Sequence, residues 1–298
     1  GARADLTLDR VDSVRGRVTE AGATGRVDFE GFSQIAVTLG GADDALRIVD
    51  TVTTVDVRPG GGADAVTIDD ISHAVSVRLG LGADSLVVRD AGAALNVFGE
   101  GGASDRDALS LDLSTRTAAV TSGAVNGSGS AGSLTGFTAG AIAFDTVEDV
   151  SVLLGSGNDS VAIGHGLSST DVRVEGGGGD DSFRVTAIGA GLTTLTGQDA
   201  FDTVTVVIPG VPLANSFTNL RLDAERLVVD NHANTTTPVA WTVTDGAQVD
   251  ADAGAGTVPV IFAEGVDEIR VLGGTRLDTL NVVSTLPSDT DGLVDGNR

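Results

Sequence analysis

The feature that most constrains this fold is one register that recurs eight times: an apolar residue, six intervening residues, an aspartate, then apolar residues two and four positions later. It reads Val37/Asp44/Leu46/Ile48, Val57/Asp64/Val66/Ile68, Val77/Asp84/Leu86/Val88, Val152/Asp159/Val161/Ile163, Val174/Asp181/Phe183/Val185, Leu195/Asp202/Val204/Val206 and Val271/Asp278/Leu280/Val282. The remaining copy, Val97/Asp107/Leu109/Leu111, has three extra residues in its loop. Most copies carry a further apolar residue two positions earlier, such as Ile35, Val55, Val75 and Val150. A period of two places these side chains on one face of a strand, so each unit is two short strands joined by a glycine-rich bend.

Within a run the aspartates stand 20 residues apart (44, 64, 84), then 22 and 21 (159, 181, 202). That is too short for a repeat containing a helix, and it suits one coil of a parallel β-solenoid. The predicted fold class is therefore all-β: a right-handed parallel β-helix or β-roll with about 20–23 residues per coil and lateral β insertions. Stacked coils place equivalent strands about 4.8 Å apart and gather Val, Leu and Ile into columns. The composition agrees: 41% of 298 residues are hydrophobic, enough for a core, but only 3% are aromatic, which favours thin β-branched layers.

A longer period overlies the short one. Leu6-Thr7-Leu8-Asp9, Leu109-Ser110-Leu111-Asp112 and Leu227-Val228-Val229-Asp230 each open an irregular polar stretch, closed by "FEGFSQIAVTLGG", "FDTVEDVSVLLGS" and "AEGVDEIRVLGG". The expected organisation is one tandem copy over 1–108, a second over 109–226, a partial third over 227–286 and an acidic linker over 287–298. Each copy combines three or four plain coils with one insertion, drawn as a hairpin or extra strands outside the helix and as the natural place for partner contacts. A chain that opens on Gly1, with neither Met nor a signal peptide, suggests a piece of something longer.

In-register stacking lines up Asp44, Asp64 and Asp84, and separately Asp159, Asp181 and Asp202. Unit charges about 4.8 Å apart repel by roughly 0.9 kcal/mol in bulk water and more at a shielded edge. One remedy is a line of Ca²⁺ bound by carboxylates and loop carbonyls; the other is that each Asp folds back on its own loop amides as an Asx turn. "GGGGDDSFR" at 176–184 fits the nonapeptide G-G-x-G-x-D-x-hydrophobic-x, and "PGGGADAVT", "LGLGADSLV" and "LGSGNDSVA" fit all but its first glycine. In this the chain resembles the RTX, or hemolysin-type, calcium-binding repeat proteins. The resemblance implies Ca²⁺ between stacked loops of a β-roll. It makes Asp64, Asp84, Asp159 and Asp181 side-chain ligands, with Gly60, Gly62, Gly80, Gly82, Gly155, Gly157, Gly177 and Gly179 at the loop positions that contribute carbonyls. RTX rolls carry a nonapeptide at both edges of each coil, whereas this chain has one per coil. Ala42, Ala200 and Arg276 replace the second motif glycine before Asp44, Asp202 and Asp278, so calcium there is expected to be weak or absent. A second acidic phrase, "SDTDGLVDGNR", places Asp289, Asp291 and Asp295 around a glycine and resembles a truncated thrombospondin type 3 or dockerin-like loop, but Asp/Gly-rich linkers are common and the segment is read as an acidic linker.

The 18 basic residues, all Arg, against 42 acidic ones give a formal charge of −24, which argues against a nucleic-acid partner. The absence of Cys removes disulfides and thiolate chemistry, and no apolar run is long enough to span a membrane. No enzyme is expected: Arg residues do not cluster, His73, His165 and His232 share no spacing, and no catalytic motif occurs. His73 and His165 are read as surface loop residues, and Trp241 as a hairpin-core anchor or a carbohydrate platform. The expected role is a structural segment of a secreted bacterial surface protein, at the cell surface as an adhesin stalk, surface-layer component or filament. Its partners would be neighbouring repeats or sister subunits end to end, with surface glycans a further class and no membrane insertion. Two alternatives stand beside it: a carbohydrate-binding or polysaccharide-processing β-helix, and a calcium-independent halophilic solenoid.

Overall fold

A computed structural model describes residues 2–101, 105–208, 217–244, 248–252, 257–262 and 266–282. All regular structure among them is β. The described chain contains nine rungs, each consisting of one strand, a loop and a second strand, here called pre-loop and post-loop strands. Two compact units divide it: residues 1–113, 127–153 and 169–171, and residues 114–126, 154–168 and 172–298.

In the first unit, post-loop strands Ala45–Ile48, Ala65–Ile68, Ser85–Val88 and Ala108–Asp112 pair in parallel and in register. Pre-loop strands Gln34–Thr38, Thr54–Arg58, Val75–Arg78 and Leu95–Phe98 form a second parallel set. Period-two alternation sends one side of every strand inward. Leu46, Val66, Leu86 and Leu109 form one column and Ile48, Ile68, Val88 and Leu111 the next, all buried. Register is fixed because a one-residue slip would turn each column to solvent.

The second unit repeats the scheme. Val161, Phe183, Val204, Leu227 and Ile269 stand in one column, and Ile163, Val185, Val206, Val229 and Val271 in its neighbour. The rung formed by Leu220–Asp223 and Arg226–Asp230 escaped the sequence pattern, because its loop is only Ala224-Glu225 and contains neither glycine nor aspartate.

The insertions differ from the lateral elements expected. They are antiparallel meanders set into the sheets themselves. Asp5–Arg10, Arg15–Glu20 and Arg26–Glu30 form the first, whose opening strand pairs in parallel with the post-loop strand Ala45–Ile48. Ala240–Thr244, Gln248–Asp252 and Thr257–Phe262 form another; its first strand pairs in parallel with Thr279–Val282 and its third with Leu220–Asp223. Between these two, Ala131–Thr135 pairs with Ile142–Asp145, which runs parallel to Leu95–Phe98. A meander bonded on both sides satisfies its own backbone and both neighbouring edges, which a lateral hairpin would not.

Three strands is an odd number, and this exchanges the roles of the sheets. After the meander, pre-loop strand Asp149–Leu153 lies beside post-loop Ala108–Asp112, and pre-loop Glu268–Leu272 lies beside post-loop Arg226–Asp230. In the second unit the Asp278 loop therefore crosses between the sheets in the opposite sense to the Asp181 and Asp202 loops.

Candidate functional site

The repeated aspartates are buried, with exposures of 0–3% for Asp44, Asp64, Asp84, Asp107, Asp159, Asp181 and Asp202. Burial is expected of an apolar residue, not a carboxylate, so each must be held by something. What holds them is the neighbouring rung. The amide of Asp44 donates to Asp64 Oδ1 at 2.7 Å, that of Asp64 to Asp84 Oδ1 at 2.7 Å, and that of Asp84 to Asp107 Oδ1 at 3.0 Å. The amide of Asp107 donates to Glu148 Oε2 at 3.0 Å, ending this run. In the second unit Val120 donates to Asp159 Oδ1, Asp159 to Asp181 Oδ1 and Asp181 to Asp202 Oδ1. Asp202 donates to Glu225 Oε2 at 2.7 Å. Asp278 accepts from Val239 at 2.8 Å and from Gly274 at 2.6 Å.

The ladder differs from the Asx-turn alternative: the Oδ1 atoms tie rung to rung instead of closing their own loops. Asp44 and Asp278 add a loop amide, Gly40 to Asp44 Oδ2 at 3.0 Å and the Gly274 bond already given. The Oδ2 atoms of Asp64, Asp84, Asp107, Asp159, Asp181 and Asp202 are buried without a hydrogen-bond partner. Burial accordingly pushes the Asp84 and Asp181 carboxyls up to about 7 and Asp107 to about 6; the ladder amides pull the other way. Asp64, Asp159 and Asp202 are raised for the same reason. Asp44 is lowered, because the amides of Ala4 and Gly40 both donate to it.

Glycine lets the loops stack this closely. Gly60, Gly80 and Gly177 at one loop position, and Gly62, Gly82 and Gly179 at the other, have φ between 90° and 121°. Gly155 and Gly157 open a loop without this positive φ. The carbonyls of Gly155 and Gly177 accept amides of the next rung, from Gly178 at 2.9 Å and Asp199 at 3.2 Å. In the Asp202 loop the positive-φ positions fall on Gln198 (84°) and Ala200 (85°). An L-residue there costs about 1 kcal/mol or more, so Ala200→Gly is expected to stabilise the protein by about 0.5–1 kcal/mol after the larger unfolded-state entropy of glycine is counted. Equilibrium urea unfolding checks this.

Among the described residues no three acidic or histidine side chains converge into a ready metal cage. The donors present are the ladder carboxylates, six of them with an orphaned buried oxygen, beside closely stacked loop carbonyls. An all-oxygen set of this kind suits a hard cation such as Ca²⁺. The phrase containing Asp289, Asp291 and Asp295 lies outside the described residues.

Sequence reasoning missed a second carboxylate series on the turn after each post-loop strand. Asp50, Asp70 and Asp90 each accept from the amide of the next residue, Thr51, Ile71 and Ala91, at 2.6, 2.7 and 2.8 Å. Asp50 and Asp70 also accept from Ser72 and Gly92 of the next rung. Their own 20-residue spacing was the available signal. Glu148 and Glu225, which end the ladders, carried none.

Of the three histidines, His73 is exposed and His232 lies beside Asp230. His165 departs from the surface role expected: it is 1% exposed within strand Ser160–Leu167, its Nε2 3.2 Å from Thr193 Oγ1, and burial lowers its pKa to about 4. Trp241 is 1% exposed in the third meander, which makes it a core anchor and leaves no indole face for a sugar.

No family model, curated protein or solved structure matches the chain. The likeness to RTX repeats therefore rests on the nonapeptide phrases alone.

Proposed function

We propose that the chain is a load-bearing segment of a secreted bacterial surface protein: a right-handed β-solenoid that holds length outside the cell as an adhesin stalk, surface-layer component or filament. The observation that carries this reading is the rung-to-rung aspartate ladder. It commits a column of costly buried carboxylates to axial cohesion. In-register apolar columns supply the rest of the cohesion, as in other one-dimensional repeat architectures.

Calcium belongs to the same reading. The groups to hold it are the carboxylates of Asp64, Asp84, Asp159 and Asp181 together with loop carbonyls of the glycines between them, and the ion would supply positive charge where Oδ2 atoms lie buried. Millimolar Ca²⁺ is expected to raise Tm by about 5 °C or more over EGTA, by mass action on the folded state, with Mg²⁺ giving less because it tolerates irregular oxygen sets poorly. Equal stabilisation by KCl would favour the halophilic alternative, and no difference between Ca²⁺ and EGTA would remove the ion from the proposal while leaving the solenoid untouched. The carbohydrate-active alternative loses its most obvious contact residue through the burial of Trp241.

A further inference from the structure

The last strand of an insertion has a defined neighbour: Thr257–Phe262 pairs in parallel with Leu220–Asp223, and Ile142–Asp145 with Leu95–Phe98. In Ile142–Asp145, Ile142 sits opposite Leu95 and Phe144 opposite Val97 of the preceding rung, and Ile142 and Phe144 are 0% and 2% exposed. Arg26–Glu30 is the same element in the first meander. Phe29 packs over Gly16 across the hairpin as Phe144 packs over Gly132, with the added Cβ of either glycine 2.1 Å from the ring. That match sets Val27 equivalent to Ile142. Yet Val27 is 64% exposed, and Arg26–Glu30 is an open sheet edge.

The next strand is open as well. Asp149–Leu153 and Glu268–Leu272 each pair with the post-loop strand of the rung before them, whereas their equivalent Gln34–Thr38 pairs only with the rung after it. Two adjacent edges thus lie bare together, with Phe32 beside them 60% exposed. Among the described residues the complementary pair of edges is the last rung, Glu268–Leu272 with Thr279–Val282, where Leu277 is 92% and Val282 51% exposed.

We infer that a second copy of this chain stacks on the first, head to tail, with its last described rung covering the bare edges at Arg26–Glu30 and Gln34–Thr38. The inference rests on the solenoid reading. Two halves of one interface are present on one chain, and the same interface already occurs within it, at Leu95–Phe98 on Ile142–Asp145 and at Ala108–Asp112 on Asp149–Leu153. Those precedents fix the register. Ile269 and Val271 fall opposite Val27 and Phe29, and Leu280 and Val282 fall opposite Ile35 and Val37. On the outer face Arg270 meets Asp28, and Asn281 meets Ala36. A contact between unlike surfaces leaves one free half at each end of a dimer, so it adds further copies until a ring closes or continues as a filament. Each chain carries a formal charge of −24, so association should strengthen as salt screens the repulsion.

Sedimentation velocity on the 298-residue chain across the micromolar range tests this. The parent should form dimers and longer species as concentration and salt rise. Val27→Lys and Val282→Lys, both at exposed positions, should each be monomeric with the parent's circular dichroism and Tm. Mixed, the two variants leave one compatible interface and should form dimers and nothing longer. Because the parent has no cysteine, mixing Ala36→Cys with Asn281→Cys chains under oxidation should give a disulfide dimer in the parallel register. A parent that stays monomeric throughout, a Val27→Lys protein that associates like the parent, or absence of the mixed disulfide would each overturn stacking. In any of those cases an intact strand spectrum with cooperative melting would leave the solenoid reading standing; a chain without strand signal would sink that reading itself.

Discussion

Gly82→Ala should lose at least about 3 kcal/mol of stability, the combined cost of a backbone clash and a forbidden dihedral. Gly82 has a φ of 119°, and a Cβ placed on it would lie 1.9 Å from the Gly62 carbonyl oxygen and 2.8 Å from its carbon. Both are main-chain atoms of the adjacent rung, so no side chain can rotate away. Relief requires the loops to separate, which would also stretch the Asp64 amide bond to Asp84 at 2.7 Å. Gly31→Ala is the control: its φ of 78° is also positive, though nearer the left-handed region an L-residue can enter, and nothing lies within 4 Å of an added Cβ. It should cost about 1 kcal/mol, the conformational term alone. Urea unfolding followed by circular dichroism separates the two. Because rungs couple to their neighbours, hydrogen exchange in Gly82→Ala should rise first in the rungs of Asp64 and Asp84. Equal losses for both substitutions would mean that the loops are not packed against one another.

That packing was partly legible beforehand. The alternation of apolar residues around Asp44, Asp64 and Asp84 identified strands, inward faces and repeat length, because a period of two and a fixed spacing are properties of the chain alone. Two strands per rung, parallel pairing and the aliphatic columns followed from them. What the pattern could not contain was which strand would lie beside which. The meanders were expected outside the repeat, but an antiparallel trio can be inserted without breaking the hydrogen-bond network, and its odd count moves the Asp278 loop to the other crossing between sheets. Loop chemistry also misled at the shortest rung, where Glu225 takes the ladder position without any glycine signature. The aspartates themselves were recognised as a column, yet the sequence offered only an ion or an Asx turn to hold them. An acceptor one rung away, reached by each Oδ1, is a relation between coils and has no local trace. His165 was misplaced for a related reason: its strand runs on through residue 167, past the point where the repeat suggested a loop, and the extra residues bury the imidazole.

Melting temperature should rise as pH is lowered from 8 to 5, the reverse of what an acidic protein stabilised by ordinary ion pairs would do. Burial pushes the Asp84 and Asp181 carboxyls up to about 7 and Asp107 to about 6 in the folded state, against an ordinary value of 3.8. With the folded pKa raised, the native protein binds more protons than the unfolded chain between those limits. Stability from these groups is therefore fully present below about 4 and is lost as pH climbs through 6 to 7. Asp28, Asp50 and Asp69, held low chiefly by arginine or by loop amides, act oppositely, but their contribution disappears only below about 4, as the carboxylates protonate. His165, buried neutral with a pKa near 4, also loses stability on acidification from about 6.5 downward; it is one group against six raised carboxyls. The balance places the optimum near pH 5, with a gain over pH 8 of about 5 °C or more, since 1 kcal/mol moves the midpoint of a chain this size by about 2 °C. Asp84→Asn and Asp181→Asn sharpen the test. Each keeps an oxygen for the amide of Asp64 or Asp159 and removes the buried charge. In EGTA at pH 8 both should melt above the parent by about 2–5 °C, the scale of one or two kcal/mol, with a flatter pH profile. With Ca²⁺ the order should invert, because the parent gains the ion and the amide variants do not. Parent stability that falls steadily from pH 8 to pH 5 would show that the orphaned Oδ2 atoms are solvated after all.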